Sequence, residues 1–344
     1  MLASLDRDTG ALRKPSPETT SDGGGIPADI DEATRHHMLV VNPPEHGRLR
    51  RAVQAAFTPG AIKALAPAVR AITDRLLDDF VRPGRHEVMA ELAFPLPIAV
   101  ISEMLGVPVA DRDAFAQWSH IMVDGAARRD ELPAAQANLI AYIRSLLAAK
   151  REKPAGDLVS LLVEDGRLSD NEMVSTVYLL LLAGHDTTAG LIGNGAYRML
   201  ANPELWQLLR DQPARIPAAI AEMLRYDSPV QLSTHRVATE DVTYGGRTIP
   251  AGSTVLISIL SANRDGRRFD APDTFDTTRQ GSSHLAFGRG IHHCLGAPLA
   301  RLEARILFES LLTRCPGLKL RAGFSPRWRP SILMHSLAEL PVII

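Results

Sequence analysis

Hydrophobic positions fall into two regimes along the 344-residue chain. From Pro44 onward, for most of roughly 200 residues, apolar side chains recur at three- and four-residue intervals, which predicts helices. Proline and glycine punctuate this stretch, as at Arg82-Pro-Gly84 and Gly106-Val-Pro108. Between Thr239 and Leu260 the pattern turns to strand. Val242, Tyr244 and the run Thr254-Val-Leu-Ile-Ser-Ile-Leu260 flank turn signals at Gly245-Gly246 and Pro250-Ala-Gly252. Helical spacing returns at Leu299, Leu302, Ile306 and Leu307, with Arg301, Glu303 and Arg305 between them. Residues 1–40 are rich in Pro, Gly, Ser, Thr and Asp, and read as loop with space for one short helix. The expected fold is mainly α with a minor antiparallel β component, without internal repeats or low-complexity tracts.

Ser169-Asp-Asn-Glu172 is a capping box. It predicts a helix reaching Asn202-Pro203, roughly 50 Å long at about 1.5 Å per residue. Its middle carries Ala183-Gly-His-Asp-Thr-Thr188. Glycine, aspartate and threonine are poor helix formers, and an acid and two hydroxyls inside a buried helix are costly without a purpose. On these residues alone, a satisfied polar contact between helices competes evenly with a chemical role.

The densest signal lies in His284-Leu-Ala-Phe-Gly-Arg-Gly-Ile-His-His-Cys-Leu-Gly-Ala-Pro298. A lone cysteine is more often a small buried hydrophobe than a ligand. Here Gly288, Gly290 and Gly296 surround Cys294 with unusual backbone freedom. The apolar helix that follows sets the thiol near a helix N-terminus, where a thiolate is favoured.

Phe287, Gly288, Gly290, His292, Cys294 and Gly296 meet every fixed position of F-G-x-G-x-H-x-C-x-G. This resembles the haem-binding signature of the cytochrome P450 family. The resemblance implies haem b, with Cys294 as axial iron ligand, His292 at a propionate and Phe287 beside the sulfur. It likewise implies that Asp186 and Thr187 are the acid–alcohol pair managing protons, and that Ala183 and Gly184 leave room for O2 over the haem. His185 fills a variable position, and Thr188 is secondary. The implied fold places the long helix across the haem.

Further motifs fall at positions of the same family. Glu222 and Arg225 form an E-x-x-R pair one helical turn apart, weak evidence alone. The family's third member is an arginine in a P-E-R-F-like segment; here Pro272-Asp-Thr-Phe275 carries Thr274, and Arg279 lies close enough in sequence to substitute. His46 and Arg50 match an H-x-x-x-R segment, and Arg236 matches another propionate arginine. Each alone reads as a solvated side chain. With His292 they make four donors for two propionates, which need such partners when buried. Arg48 and Arg51 point off that face and, with Arg289, are candidates for a positive patch that receives a ferredoxin.

Composition narrows the class. The chain is 45% hydrophobic and 22% charged, with a net charge of −1. This gives no reason to expect nucleic acid or an anionic membrane as partner. Two cysteines, Cys294 and Cys315, make no disulfide framework, so a reducing cytoplasm is expected. The longest apolar run, Val177 to Ala183, is far below the roughly 20 residues of a membrane span.

The domain expectation is a partial, loop-rich segment over 1–41 and a single haem-thiolate domain over 42–344, in a monomer. Details such as Ile249-Pro-Ala-Gly252 and Ala262-Asn-Arg-Asp265 resemble actinobacterial, ferredoxin-supported members that tailor secondary metabolites. Members usually carry some fifty more residues before the Pro-Pro-Glu-His segment, so the first helix and outer strands of the main sheet are expected to be missing. The leading expectation is a monooxygenase that inserts one atom of O2 into a small apolar molecule, by hydroxylation or epoxidation, with NAD(P)H electrons relayed through ferredoxin and its reductase. The alternatives are a weakly active or inactive truncated haem-binding fragment, and a haem-free interaction module on the same scaffold. A peroxide-driven relative is disfavoured, because such enzymes carry arginine and proline where this chain has Asp186-Thr187.

Overall fold

The computed structural model describes residues 12–14, 33–123, 128–279 and 283–344. Most of the segment 1–41 expected to be loop lies outside them. Among the described residues the chain begins with β1 (Leu12–Arg13), α1 (Glu45–Gln54), α2 (Pro59–Phe80), β2 (Arg85–Glu87) and α3 (Pro95–Leu105). Next come α4 (Arg112–Val123), α5 (Leu132–Glu152), α6 (Leu158–Asp165) and the long α7 (Asp170–Leu200). Then follow α8 (Pro203–Asp211), α9 (Ile216–Tyr226), β3 (Arg236–Ala238), β4 (Val242–Tyr244), β5 (Arg247–Ile249) and β6 (Thr254–Val255). The chain ends with α10 (Ile259–Asn263), α11 (Ala297–Arg314), β7 (Lys319–Leu320) and β8 (Pro341–Ile343). The architecture is mainly helical with small antiparallel sheets, as the sequence predicts. No helix among the described residues is long and apolar enough to cross a membrane.

Two compact units divide the chain. The first comprises residues 1–61, 98–184 and 235–255. In it α4 packs on α5, and α5 on α6. Leu139, Ile140 and Ile143 recur at three- and four-residue spacing and are fully withdrawn from solvent. Asp157 caps α6 by accepting from the Ser160 amide at 2.9 Å, and Gly166 ends that helix at a φ of 64°. A three-stranded sheet runs β1-β3-β6, so Leu12–Arg13 cover one edge of β3 within the segment expected to be loop. The β4–β5 hairpin turns through Gly245 and Gly246, both at positive φ, as a two-residue turn requires.

The second unit comprises residues 62–97, 185–234 and 256–344. Here α8 and α9 pack on α11. Leu299, Leu302, Ile306 and Leu307 are buried, as their spacing predicts. A second sheet runs β2-β8-β7. The strand expected over Thr254–Leu260 stops after Val255. Ser258 accepts from the Ser261 amide at 3.3 Å and caps α10 instead. A local side-chain cap overrides the strand propensity of the run.

Candidate functional site

Cys294 sits on a loop shaped by its glycines. Gly288 and Gly290 have φ of 68° and 77°, which other residues adopt only with strain. The Cys294 amide donates to the Phe287 carbonyl at 2.8 Å, and the Gly288 amide to Leu285 at 2.8 Å. These bonds fold the loop back on itself and leave the thiol exposed. Three residues later α11 begins, with Gly296 as its N-cap. Gly296 departs from the expectation: its φ is −79°, and a β-carbon there would lie 4.0 Å from the Cys294 Sγ, an ordinary contact. Its torsion therefore does not demand glycine.

The Phe287 ring carries the Arg301 guanidinium 4.5 Å from its centroid. Partial burial lowers the Arg301 pKa, and the negative charge of an ionised Cys294 opposes that. The two groups are thus within electrostatic reach of each other. His284 is pushed down to about 4 by burial and by Arg301, and it accepts from the Ala286 amide through Nδ1 at 3.2 Å. His292 closes a single 3₁₀ turn (Gly290–His292) and is half-buried.

The long helix α7 forms as its capping box predicts. The Ser169 amide donates to Glu172 at 2.8 Å, and the Glu172 amide to Ser169 Oγ at 3.3 Å. In mid-helix the burial pattern changes. Ala183 is exposed, and among the described residues nothing lies within 4 Å of the place a Gly184 β-carbon would take. Thr187 is half-buried, whereas Thr188 is 4% exposed. His185 is buried and turns its ring edge-on to Phe94, 6.0 Å between centroids. Asp186 is 8% exposed and accepts from Arg329 Nη1 at 2.6 Å.

Glu222 and Arg225 form a bidentate pair at 2.7 and 2.7 Å on α9, both buried. Arg225 also donates to the carbonyls of Asn263, Pro272 and Thr274 at 2.9, 2.8 and 3.0 Å. Arg279 takes the third corner left by Thr274: its Nε lies 3.5 Å from Glu222 Oε2, and Nη1 donates to the Asp270 carbonyl at 2.6 Å.

The remaining expected donors belong to the first unit. His46 and Arg50 lie one turn apart on α1, His46 buried and Arg50 half-buried. Burial, then the Arg50 charge, hold the His46 pKa below its ordinary value. Arg236 is half-buried on β3 and donates to the His235 carbonyl at 3.2 Å. Arg48, a candidate for the positive patch, is instead paired with Glu45 and with the capping-box Glu172. Two carboxylates neutralise it, so it offers no bare charge to a partner.

Sequence reasoning missed Arg329, the buried Asp227 and its partner Arg198 at 2.5 Å, and Glu303, a fully buried carboxyl on α11. Arg329 carries no local signal, because its partner is 143 residues away. Glu303 looked like part of a polar face.

The sequence profile of the family described as cytochrome P450 matches residues 214–319. Cytochrome P450 107B1 of Saccharopolyspora erythraea is 47% identical over 311 residues, spanning 89% of this chain and 76% of that protein. The structure of the bacillaene polyketide synthase cytochrome P450 PksS of Bacillus subtilis 168 superposes with a TM-score of 0.90 at 38% identity, covering 99% of this chain and 87% of that one. P450BioI, solved with an acyl carrier protein bearing hexadec-9Z-enoic acid, gives a TM-score of 0.90 at 36% identity, covering 97% and 87%.

Proposed function

The chain belongs to the cytochrome P450 family, and from that premise we propose that it oxygenates a small apolar metabolite of polyketide or fatty-acyl type, with electrons relayed from NAD(P)H by a ferredoxin. It is a haem-thiolate monooxygenase with haem b as cofactor. The cysteine loop carries this reading: an exposed thiol, held by two positive-φ glycines, just ahead of a helix N-terminus.

The residues present fit the cofactor. Cys294 would supply the sulfur donor, with the Arg301 guanidinium within electrostatic reach and the start of α11 three residues on. Ala183 is exposed, and a β-carbon on Gly184 would meet no described residue within 4 Å, so the middle of α7 offers a slim surface. His46, Arg50 and Arg236 of the first unit and His292 of the second would each be a donor for a propionate, and Phe287, whose carbonyl accepts the Cys294 amide, would flank the ligand. Gly288, at a φ of 68°, turns the loop next to the ligand, and Gly296 caps the helix that follows it. When bound, haem iron activates O2 for insertion of one oxygen atom into a C–H or C=C bond, the thiolate ligand favouring O–O cleavage.

The chain's own groups do the rest. Asp186 takes protons from solvent onto its carboxylate and passes them to Thr187 Oγ1, which offers them to the reacting oxygen. The second oxygen atom leaves as water, using two electrons and two protons. Glu222 and Arg225 tie α9 to the segment 263–279 that leads into the cysteine loop. The polyketide and fatty-acyl proposal rests on the relatives named above. The ferredoxin proposal is supported by Arg289, Ile291 and His293, all exposed on the loop around Cys294.

Incubation with 18O2, NADPH, a surrogate ferredoxin and its reductase, and a panel of macrolactones and free fatty acids tests the proposal. One labelled atom in the product is expected. Label-free product, or conversion driven only by added peroxide, would contradict it.

A further inference from the structure

Four residues of α7, each four positions after the last, make one stripe: Asp186, Gly190, Asn194 and Arg198. Such spacing places them on a single helix face. Every one meets the same neighbouring segments. Arg198 pairs with Asp227 at 2.5 Å. Asn194 donates to the His335 carbonyl at 2.8 Å and accepts from the Leu337 amide at 3.3 Å. A β-carbon on Gly190 would lie 3.1 Å from Pro229 Cβ and 3.3 Å from Ser336 Cβ, so the backbone there approaches closely. Asp186 accepts from Arg329.

Residues 327–338 form an irregular hairpin. The Arg329 amide donates to Ser336 at 2.9 Å, the Ala338 amide to Arg327 at 2.8 Å, and Trp328 bridges Leu337. The Trp328 ring stacks on His335 at 3.8 Å, and the His335 amide donates to Pro229 at 2.7 Å. The hairpin is thus fastened to α7 at Gly190 and Asn194, which fixes where Arg329 emerges. Its guanidinium sits 5.6 Å from the Phe94 centroid, the ring that also receives His185. An exposed ion pair would contribute little. This one is largely withdrawn from solvent, at 19% and 12% side-chain exposure, and one partner is held by a backbone fastened elsewhere.

We propose that Arg329 is the positioning residue for Asp186: it holds the carboxylate through Oδ1 in the orientation from which Asp186 hands protons to Thr187. This rests on the proton-relay role of Asp186 given above. Arg329 takes no part in the chemistry. Its fork fixes one oxygen's direction, which a flexible ammonium does less well.

The test uses the haem-loaded enzyme and needs no substrate. NADPH-driven oxygen consumption through a surrogate ferredoxin and reductase is measured in H2O and D2O for wild type, Arg329→Met, Asp186→Asn and the double variant. Arg329→Met is expected to retain the wild-type reduced, carbon monoxide-bound spectrum. Its oxygen consumption should fall about tenfold or more, with a raised solvent isotope effect. The double variant should be no slower than Asp186→Asn, and Arg329→Lys should recover to within about threefold of wild type. Thermal unfolding of the same four proteins gives a readout independent of turnover: the two single effects should be non-additive. A wild-type rate and isotope effect in Arg329→Met, beside a slow Asp186→Asn, would overturn the positioning role. Wild-type behaviour in Asp186→Asn, or no oxygen consumption by the wild type, would instead overturn the relay reading beneath it. Should Arg329→Met not retain haem, Arg329→Gln takes its place with the same expected outcomes.

Discussion

Arg225 and Glu222 are both withdrawn from solvent and share two hydrogen bonds of 2.7 Å across one turn of α9. Arg225 reaches three backbone carbonyls beyond that pair, and Glu222 accepts the Asp276 amide at 2.9 Å. Breaking one partner of a buried pair leaves the other charged and uncompensated. Arg225→Ala or Glu222→Ala should therefore cost about 3–5 kcal/mol. Arg225→Lys should rescue little, because an ammonium cannot span the carboxylate and three carbonyls. Urea unfolding of the haem-loaded protein measures both, and a rescue to wild-type stability by lysine would contradict the geometry.

Glu303 gives a pH dependence. Burial pushes its carboxyl up to about 8 from an ordinary 4.5. Between those values the folded chain keeps a proton that the unfolded chain releases, so the contribution to stability falls as pH rises. The loss begins near pH 4.5 and is complete above about pH 8, on the order of a few kcal/mol. Glu303→Gln removes it. The urea midpoint of the glutamine variant should exceed that of wild type at pH 8 and match it near pH 4.5. Equal midpoints at pH 8 would mean that the carboxyl ionises without penalty.

Thr187→Ala should leave haem binding and the reduced, carbon monoxide-bound spectrum intact, since the side chain is half-buried on an otherwise regular helix. Product formed per NADPH should fall about tenfold or more, with the lost electrons recovered as hydrogen peroxide. Product that stays tightly coupled to NADPH would count against the hydroxyl as a proton donor.

Packing along α7 supplies another test. A β-carbon on Gly195 would lie 2.8 Å from both Met223 Sδ and Phe308 Cζ. Phe308 is fully buried and its ring cannot yield as a methionine chain can. Gly195→Ala should cost about 1–3 kcal/mol by overpacking, read as a lowered thermal midpoint. An unchanged midpoint would show that α7 and α11 can separate freely.

The cap and length of α7 were legible because capping is local: Ser169 and Glu172 lie three residues apart. The cysteine loop was legible for the same reason, as its glycines and thiol fall within nine residues. The strand expected over Thr254–Leu260 failed at Ser258, where a hydroxyl bonded its own backbone more favourably than a ladder. Glu303 was hidden because α11 is buried on nearly every side. Arg301 and Arg305 are exposed, yet the carboxyl between them is not. Arg329 and Asp186 were invisible as a pair, since only the tertiary fold brings them together.

The reduced, carbon monoxide-bound spectrum of the wild type and of Cys294→Ser tests most directly whether Cys294 is the thiolate ligand. The wild type should show the red-shifted Soret band of thiolate ligation, and Cys294→Ser should lose it. The same red-shifted band in both proteins would contradict the assignment.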